Sequence, residues 1–205
     1  QSMHLDRMHV TDSEVNHSAE VSVSGTLLSK NTLWEATALV HAGVLDVNNS
    51  IWNVETANAT TILVDANSTI YERSSASALR LTAEDMLISG TLSGQRVVLQ
   101  GGSSVHLEGS GTVDVSEQGF EAGKGTGAGI QLPSTSSGGG VGGTFGGGGG
   151  LGTSSDKAAG KSYGDMASPT DLGSGGQLGR YRYSYNSYSS AGGAGGGAIE
   201  ISVGG

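Results

Sequence analysis

Glycine is concentrated in the second half of the chain, and this asymmetry constrains the fold more than any other feature. The chain has 205 residues and 37 glycines, but only Gly25, Gly43, Gly90 and Gly94 precede residue 101. The densest run extends from Gly138 to Gly152. Such a run forms either a flexible linker or a packed backbone layer where no side chain fits. Because patterned glycine blocks and a strand-like segment follow it, we interpret the run as packed structure.

The first half of the chain has the alternating pattern of short β-strands. The segment Val21-Ser22-Val23-Ser24-Gly25-Thr26-Leu27 alternates apolar with small polar residues and then turns at glycine, and residues 86–92 repeat the phrase. Similar runs, punctuated by Gly, Asn, Ser and Asp, occur at residues 44–48, 61–70, 96–101, 105–109 and 111–115. A period of two residues predicts strands, and the best helix candidate is the brief segment 76–86.

These patterns predict an all-β fold, namely a parallel β-helix or solenoid with a glycine-rich C-terminal half. The repeated phrase suits the coils of a solenoid, although its period is not fixed by the sequence. A β-sandwich or jelly roll is the alternative. We expect residues 1–20 to form an N-terminal arm that could donate a strand to a neighbouring chain. Residues 21–205 would form a single solenoid domain, with residues 116–198 as its glycine-rich part.

Two further segments near the C-terminus have patterns that predict strands. Residues 198–203 (Ala-Ile-Glu-Ile-Ser-Val) form one, and Arg180-Tyr181-Arg182-Tyr183-Ser184-Tyr185 alternates strictly. This alternation places Tyr181, Tyr183 and Tyr185 on one face. That face either packs on a neighbouring strand or forms a contact surface that stacks on sugars.

The glycine blocks together resemble a known family. The first block is Gly142-Gly143-Thr144-Phe145-Gly146-Gly147, the second is Tyr163-Gly164-Asp165 with Pro169 and Gly173-Ser174-Gly175-Gly176, and the third is residues 194–201. In this order they resemble a glycine-rich parallel β-helix domain of extracellular and cell-surface proteins of algae, oomycetes and plants, including mastigoneme-like filament glycoproteins. The family's first block often reads Gly-Gly-His-Gly-Gly, whereas Thr144 and Phe145 stand there in this chain. The resemblance implies a parallel β-helix and an extracellular structural setting, and it does not imply an enzyme activity.

Four N-glycosylation sequons lie in the first third of the chain. Their asparagines are Asn16, Asn48, Asn58 and Asn67, each followed at the second position by Ser or Thr. An N-glycan requires an exposed asparagine in a secreted protein, and glycans would also shield strand edges from aggregation. We therefore expect covalent N-glycans at these positions.

The charge and composition disfavour several classes of protein. The net charge of −9 opposes binding to nucleic acid or to anionic membranes, and no apolar run is long enough to span a bilayer. The chain has no cysteine, which excludes disulfides and thiolate metal sites. This fits a reducing compartment, but also an extracellular fold held by backbone ladders.

No motif predicts an enzyme, a metal site or a cofactor. Residues 119–126 resemble a phosphate-binding loop, but the glycine spacing is one residue short and Gly125 follows Lys124 in place of Ser or Thr. The histidines lack metal-ligand spacing. We interpret two pairs of acidic residues as solvated surface side chains. These pairs are Glu108 with Asp114 and Asp165 with Asp171.

The sequence therefore predicts a structural glycoprotein subunit that polymerises head-to-tail into an extracellular filament or coat. Neither end of the sequence contains an amphipathic capping helix, so we expect either that the chain is a fragment of a longer protein or that copies of the chain cover the ends of the solenoid. The alternative is a carbohydrate-binding or adhesive module of a larger cell-surface protein.

Overall fold

The regular secondary structure consists of β-strands. In this computed structural model, the described residues are 3–17, 20–36, 39–72, 78–129, 140–145, 160–165, 170–183 and 186–204. Within these ranges there is no helix, which confirms the all-β prediction. The strands are β1 (Met3–Leu5), β2 (Met8–Thr11), β3 (Glu14–His17), β4 (Val21–Lys30), β5 (Leu33–Ala36), β6 (Leu39–Asn48), β7 (Ile51–Asn53), β8 (Thr56–Val64), β9 (Thr69–Tyr71), β10 (Leu79–Ile88), β11 (Thr91–Ser93), β12 (Arg96–Leu107), β13 (Thr112–Asp114), β14 (Gly179–Tyr183), β15 (Asn186–Ser190) and β16 (Ala198–Val203).

Two parallel sheets are stacked along the chain as a β-solenoid of about five turns. Sheet A contains the long strands in the order β1, β4, β6, β8, β10, β12, β16, and β2 also pairs with β4. Sheet B contains the short strands in the order β13, β11, β9, β7, β5, β3. Each coil contributes one long and one short strand, and the strand pairs from β4 to β12 and from β3 to β13 are parallel. This topology confirms the solenoid and not the sandwich.

The register of sheet B defines the coil length that the sequence left open. Trp34 pairs with Trp52, Trp52 with Ile70 and Ile70 with Leu92, so these coils span 18, 18 and 22 residues. The four side chains are fully buried, and the rings of Trp34 and Trp52 stack with centroids 4.7 Å apart. Stacked aromatic rings bury large apolar areas, so this column anchors the core.

The long strands close the core from the other side. Alternate residues of β4, β6, β8 and β10 point inward, and the buried ones include Val21, Val23, Leu27, Val40, Leu45, Val47, Ala57, Ile62, Val64, Leu79, Leu81, Met86 and Ile88. The described part of the helix candidate, residues 78–86, contains no helix, in agreement with the all-β prediction. Residues 79–88 form β10 instead, because its period-two burial pattern lets it pair with β8 and β12 on both sides.

The first twenty residues contribute strands to the same two sheets. β1 and β2 pair with β4, and β3 pairs with β5, all in parallel. Donation of a strand to a neighbouring chain remains a prediction. Residues 1–114 and 199–205 form one compact unit and residues 115–198 form another. The proposal that residues 21–205 fold as a single domain also stays a prediction.

The second unit is held together by backbone hydrogen bonds between glycine-rich segments. The amide of Phe120 donates to the carbonyl of Gly173, and the amide of Gly173 donates to Gly196, both at 2.9 Å. A Cβ atom on Gly175 would overlap the carbonyl oxygen of Glu121, and one on Gly195 would overlap that of Gly173. The backbones therefore approach too closely for side chains, as expected for packed glycine. Of the run from Gly138 to Gly152, only residues 140–145 are described, and the rest lies outside these ranges.

A small polar cluster links the motif blocks of this unit. Ser174 Oγ donates to Tyr163 Oη at 2.9 Å and accepts from the amide of Gly127 at 2.8 Å. Thr144 Oγ1 donates to the carbonyl of Lys161 at 2.7 Å, and the ring of Tyr163 contacts Phe145 edge-on. Buried polar groups require such partners, so these side chains fix the spacing of the glycine segments.

Adjacent glycines provide a test of the packed layer. We expect Gly195→Ala to destabilise this unit by more than about 2 kcal/mol, because the new methyl group would overlap a backbone carbonyl. Gly196→Ala should be neutral or stabilising by up to about 1 kcal/mol, because a Cβ at Gly196 meets nothing within 4 Å. Urea unfolding and hydrogen exchange of the two variants measure the difference. Equal stability of the two variants would contradict close backbone packing.

Candidate functional site

An asparagine corner, formed by Asp12, Asn31 and Asn49, follows the long strands on the outside of the solenoid. These three residues have positive φ angles of 49°, 52° and 43°. Asn31 Nδ2 donates to Asp12 Oδ1 at 2.8 Å, and Asn49 Nδ2 donates to Asn31 Oδ1 at 2.7 Å. Asn and Asp tolerate the left-handed region better than other residues with side chains. The corner therefore combines a sharp turn with a ladder of side-chain hydrogen bonds.

A second ladder lies inside the same corner. Thr32, Ser50 and Ser68 are each at most 3% exposed. Ser50 Oγ donates to the carbonyl of Asn48 at 2.8 Å and accepts from the amide of Thr32 at 3.1 Å. Ser68 Oγ accepts from the amide of Ser50 at 3.2 Å. These buried hydroxyls satisfy backbone groups that would otherwise be unpaired at the turn.

Two carboxylates with different surroundings lie near this corner. Asp46 is on the outer face of β6, where its register partners are Leu28 and Leu63. Partial burial, and secondarily the negative charge of Asp65, raise the pKa of Asp46 above its ordinary value of 3.8. Asp65 Oδ1 accepts hydrogen bonds from the amides of Asn49 and Asn67 at 3.0 and 3.2 Å. The carboxylate of Asp65 thus accepts hydrogen bonds from two backbone amides, whereas that of Asp46 lies between two leucines on the strand surface.

The predicted glycosylation residues occupy four different positions in the solenoid and do not form one site. Asn16 is exposed in the outer short strand β3, and Asn48 is the last residue of β6. Asn58 lies in the middle of β8, paired with His41 on one side and Thr82 on the other. Asn67 is exposed in the turn between β8 and β9. Attachment of glycans to these residues stays a prediction.

The predicted tyrosine surface falls on a two-stranded antiparallel hairpin. Tyr181 and Tyr183 belong to β14, and Tyr185 lies outside the described residues. Tyr181 is opposite Tyr188 of β15, whose side chain is 62% exposed. The alternating segment is therefore a strand over residues 179–183, and its role in binding remains a prediction.

The described residues contain no group of three or more His, Asp or Glu side chains that could hold a metal ion. His41 Nε2 lies 3.9 Å from Glu20 Oε1, and both side chains are 42% exposed. Of the acid pairs considered above, Glu108 follows β12 and Asp114 ends β13, while Asp165 and Asp171 lie on the surface of the glycine-rich unit. Among the described residues we also find no helix that is long and apolar enough to cross a membrane.

The two sheets end in strands that have a partner on one side only, within the part of the chain that the structure describes. These strands are β3 and β13 in sheet B, and β1, β2 and β16 in sheet A. Ile199, Ile201 and Val203, which alternate along β16, are 37%, 48% and 51% exposed. A strand edge presents unpaired amide and carbonyl groups that can accept another strand.

Comparisons of the chain with models of protein families, with curated proteins and with solved structures found no match. The resemblance to the glycine-rich β-helix domain of cell-surface proteins therefore stays a prediction.

The asparagine corner is the feature that sequence reasoning missed. Its signal is a dipeptide of Asn with Thr or Ser that recurs at 18-residue intervals, as Asn31-Thr32, Asn49-Ser50 and Asn67-Ser68. Asp46 also carries a signal, because it interrupts the apolar segment Val44-Leu45-Asp46-Val47 at an outward position. Only the register shows which leucines surround it.

Two substitutions of Asn49 separate the two roles of the corner. Asn49→Ala removes the hydrogen bond to Asn31 and puts at positive φ a residue that tolerates this conformation less well than asparagine, so we expect a loss of about 1–3 kcal/mol in the free energy of unfolding. Asn49→Gly removes the same bond without the strain and should lose less. Urea unfolding measures both variants. Equal losses would show that the backbone conformation contributes nothing.

The raised pKa of Asp46 predicts a pH-dependent stability. The folded chain binds the proton of Asp46 more tightly than the unfolded chain, so this contribution is fully present below pH 3.8 and is lost as the pH rises through the folded pKa. We therefore expect Asp46→Asn to be more stable than the parent chain at pH 7 and to lose that advantage near pH 3.5. Urea unfolding at both pH values is the measurement, and a pH-independent difference would contradict the expectation.

Proposed function

We propose that the chain is a structural glycoprotein subunit that associates head-to-tail into an extracellular filament or coat. The observation that supports this most directly is the set of one-sided strands at both ends of the two sheets. A contact between opposite ends of one chain and the next is heterologous, and a heterologous contact that does not close into a ring produces a filament. Strand addition at such an edge uses main-chain hydrogen bonds and does not require a pocket.

Apolar side chains at the two ends support the same proposal. Ile199, Ile201 and Val203 are exposed along β16, and Leu5 of β1 is 39% exposed. Burying such side chains between copies would add hydrophobic stabilisation of roughly 25 cal/mol per Å² to the main-chain hydrogen bonds. In the assembly we propose, the first strands of one copy contact β16 of the next.

The extracellular setting is supported by the sequons and by the family resemblance. Asn16 and Asn67 are exposed, as an N-glycan attachment residue must be. In a chain without disulfides, the stacked tryptophans and the corner ladders join neighbouring coils by packing and by hydrogen bonds. These features fit a secreted structural protein with no catalytic role.

Two isoleucines with matched exposure test the proposal. Ile201, in the terminal strand β16, is 48% exposed, and Ile51, on the outer face of sheet B at β7, is 47% exposed. We expect Ile201→Lys to raise the protein concentration needed for filament formation at least about tenfold, because it places a charge in the proposed contact. Ile51→Lys should leave that concentration unchanged. Electron microscopy and light scattering measure assembly, and circular dichroism checks that both variants fold.

Other results would contradict the proposed assembly or would favour the adhesive alternative. Monodisperse monomers of the parent chain at high concentration, or equal effects of the two lysine variants, would contradict association through the solenoid ends. The adhesive alternative draws on the exposed Tyr188 of the hairpin. Glycan binding by monomers, lost in a Tyr188→Ala variant, would favour that alternative.

A further inference from the structure

The sequons of the solenoid differ in how accessible they are after folding. We propose that Asn67 accepts an N-glycan in the folded chain, whereas Asn48 and Asn58 can be modified only before their coils have formed. The inference rests on the secreted, glycosylated setting proposed above, but its test requires neither secretion nor assembly. Ser18, which completes the sequon of Asn16, lies outside the described residues, so that sequon is not compared.

The reaction defines what each sequon must present. The side-chain amide nitrogen of asparagine forms a bond to C1 of a sugar, while the bond from C1 to the diphosphate of a lipid-linked oligosaccharide breaks. The amide loses one proton, and the lipid diphosphate leaves with the bonding electrons. The asparagine and the hydroxyl residue two positions later must both reach the transferase, so both of these side chains have to be accessible.

Asn67 meets this requirement better than the other two residues. It lies at an exposed position of the turn between β8 and β9, and its sequon hydroxyl belongs to Thr69, which is partly exposed. Within the turn, the amides of Asn67 and Ser68 donate to Asp65. Ser68 itself is buried and accepts from the amide of Ser50 in the coil before. The side chains of Asn67 and Thr69 nevertheless remain exposed and partly exposed, respectively.

Asn48 fails because its sequon hydroxyl is part of the buried ladder. Ser50 is 2% exposed, and its Oγ contacts the carbonyl of Asn48, the amide of Thr32 and the hydroxyl of Ser29. Trp52 Nε1 in turn donates to Ser29 Oγ at 2.8 Å. Exposure of Ser50 to an enzyme therefore requires opening the corner next to the stacked tryptophans.

Asn58 fails for a different reason. It is partly buried in the middle of β8, and its backbone is paired with β6 through His41 and with β10 through Thr82. Its hydroxyl residue, Thr60, is exposed. Access is limited here at the asparagine itself, because Asn58 lies inside a strand that is paired on both sides, whereas Asn67 precedes β9.

The experiment compares the folded chain with unfolded references for the same sequons. The full chain is produced in a host without N-glycosylation and incubated with a single-subunit oligosaccharyltransferase and its lipid-diphosphate oligosaccharide. Synthetic peptides of residues 44–52, 54–62 and 63–71 give the intrinsic rate of each sequon. Mass spectrometry gives the ratio of the rate in the chain to the rate in the peptide, which removes the preference of the enzyme for Thr over Ser.

We expect the ratio for Asn67 to exceed those for Asn48 and Asn58 by at least about 100-fold, because the latter require opening of buried structure. Asn67→Gln should abolish nearly all modification of the folded chain, whereas Asn48→Gln should leave it unchanged. A ratio for Asn67 no higher than the other two, or a failure of the 63–71 peptide to react, would overturn the inference. Filament imaging is independent of these rates, so the inference and the proposed function can fail separately.

Discussion

The solenoid depends on closing each corner between a long and a short strand without leaving backbone groups unpaired. Three corners use the same solution, an inner hydroxyl at Thr32, Ser50 or Ser68 that bonds to backbone across neighbouring coils. Outside it, Asn31 and Asn49 adopt positive φ and bond to the coil before. Because each corner bonds to its neighbour, the stability of one coil depends on the next, as in other repeat architectures.

The glycine-rich unit meets the same requirement in another way. Its segments pair by backbone hydrogen bonds, as between Phe120 and Gly173, but they approach so closely that Cβ atoms are excluded. Side chains are therefore confined to a few positions, among them Thr144 and Ser174, where a hydroxyl supplies a bond that the backbone alone does not. Composition thus follows from packing distance, since a chain that cannot place side chains between its segments must use glycine there.

Much of the fold could be predicted from the sequence, but the sites could not. The period-two alternation in segments such as Val21–Leu27 predicted the strands, since each residue of a strand faces opposite to the next. The same rule, applied to Leu79, Leu81 and Ala83, identifies β10 inside the segment that was the best helix candidate. The coil length was readable from Asn31-Thr32 and its repeats at 18-residue intervals. The environment of Asp46 could not be predicted in this way. Its neighbours Leu28 and Leu63 are 18 and 17 residues away in the sequence and lie beside it only because of the strand register.

The position of the sequons bears on the direction in which such a solenoid could associate. The turn at Asn67 and the strand position of Asn58 lie on the sides of the coils, whereas the one-sided strands β3, β13 and β16 lie at the ends of the sheets. Glycans on the sides would oppose lateral contacts between solenoids, because each attached sugar is bulky and hydrated. Among the one-sided strands, β3 contains the sequon asparagine Asn16, whereas β1, β2, β13 and β16 contain none and their edges would stay free of glycans. In the proposed assembly, glycosylation therefore favours growth along one axis over the side-by-side aggregation to which open β-structure is otherwise prone.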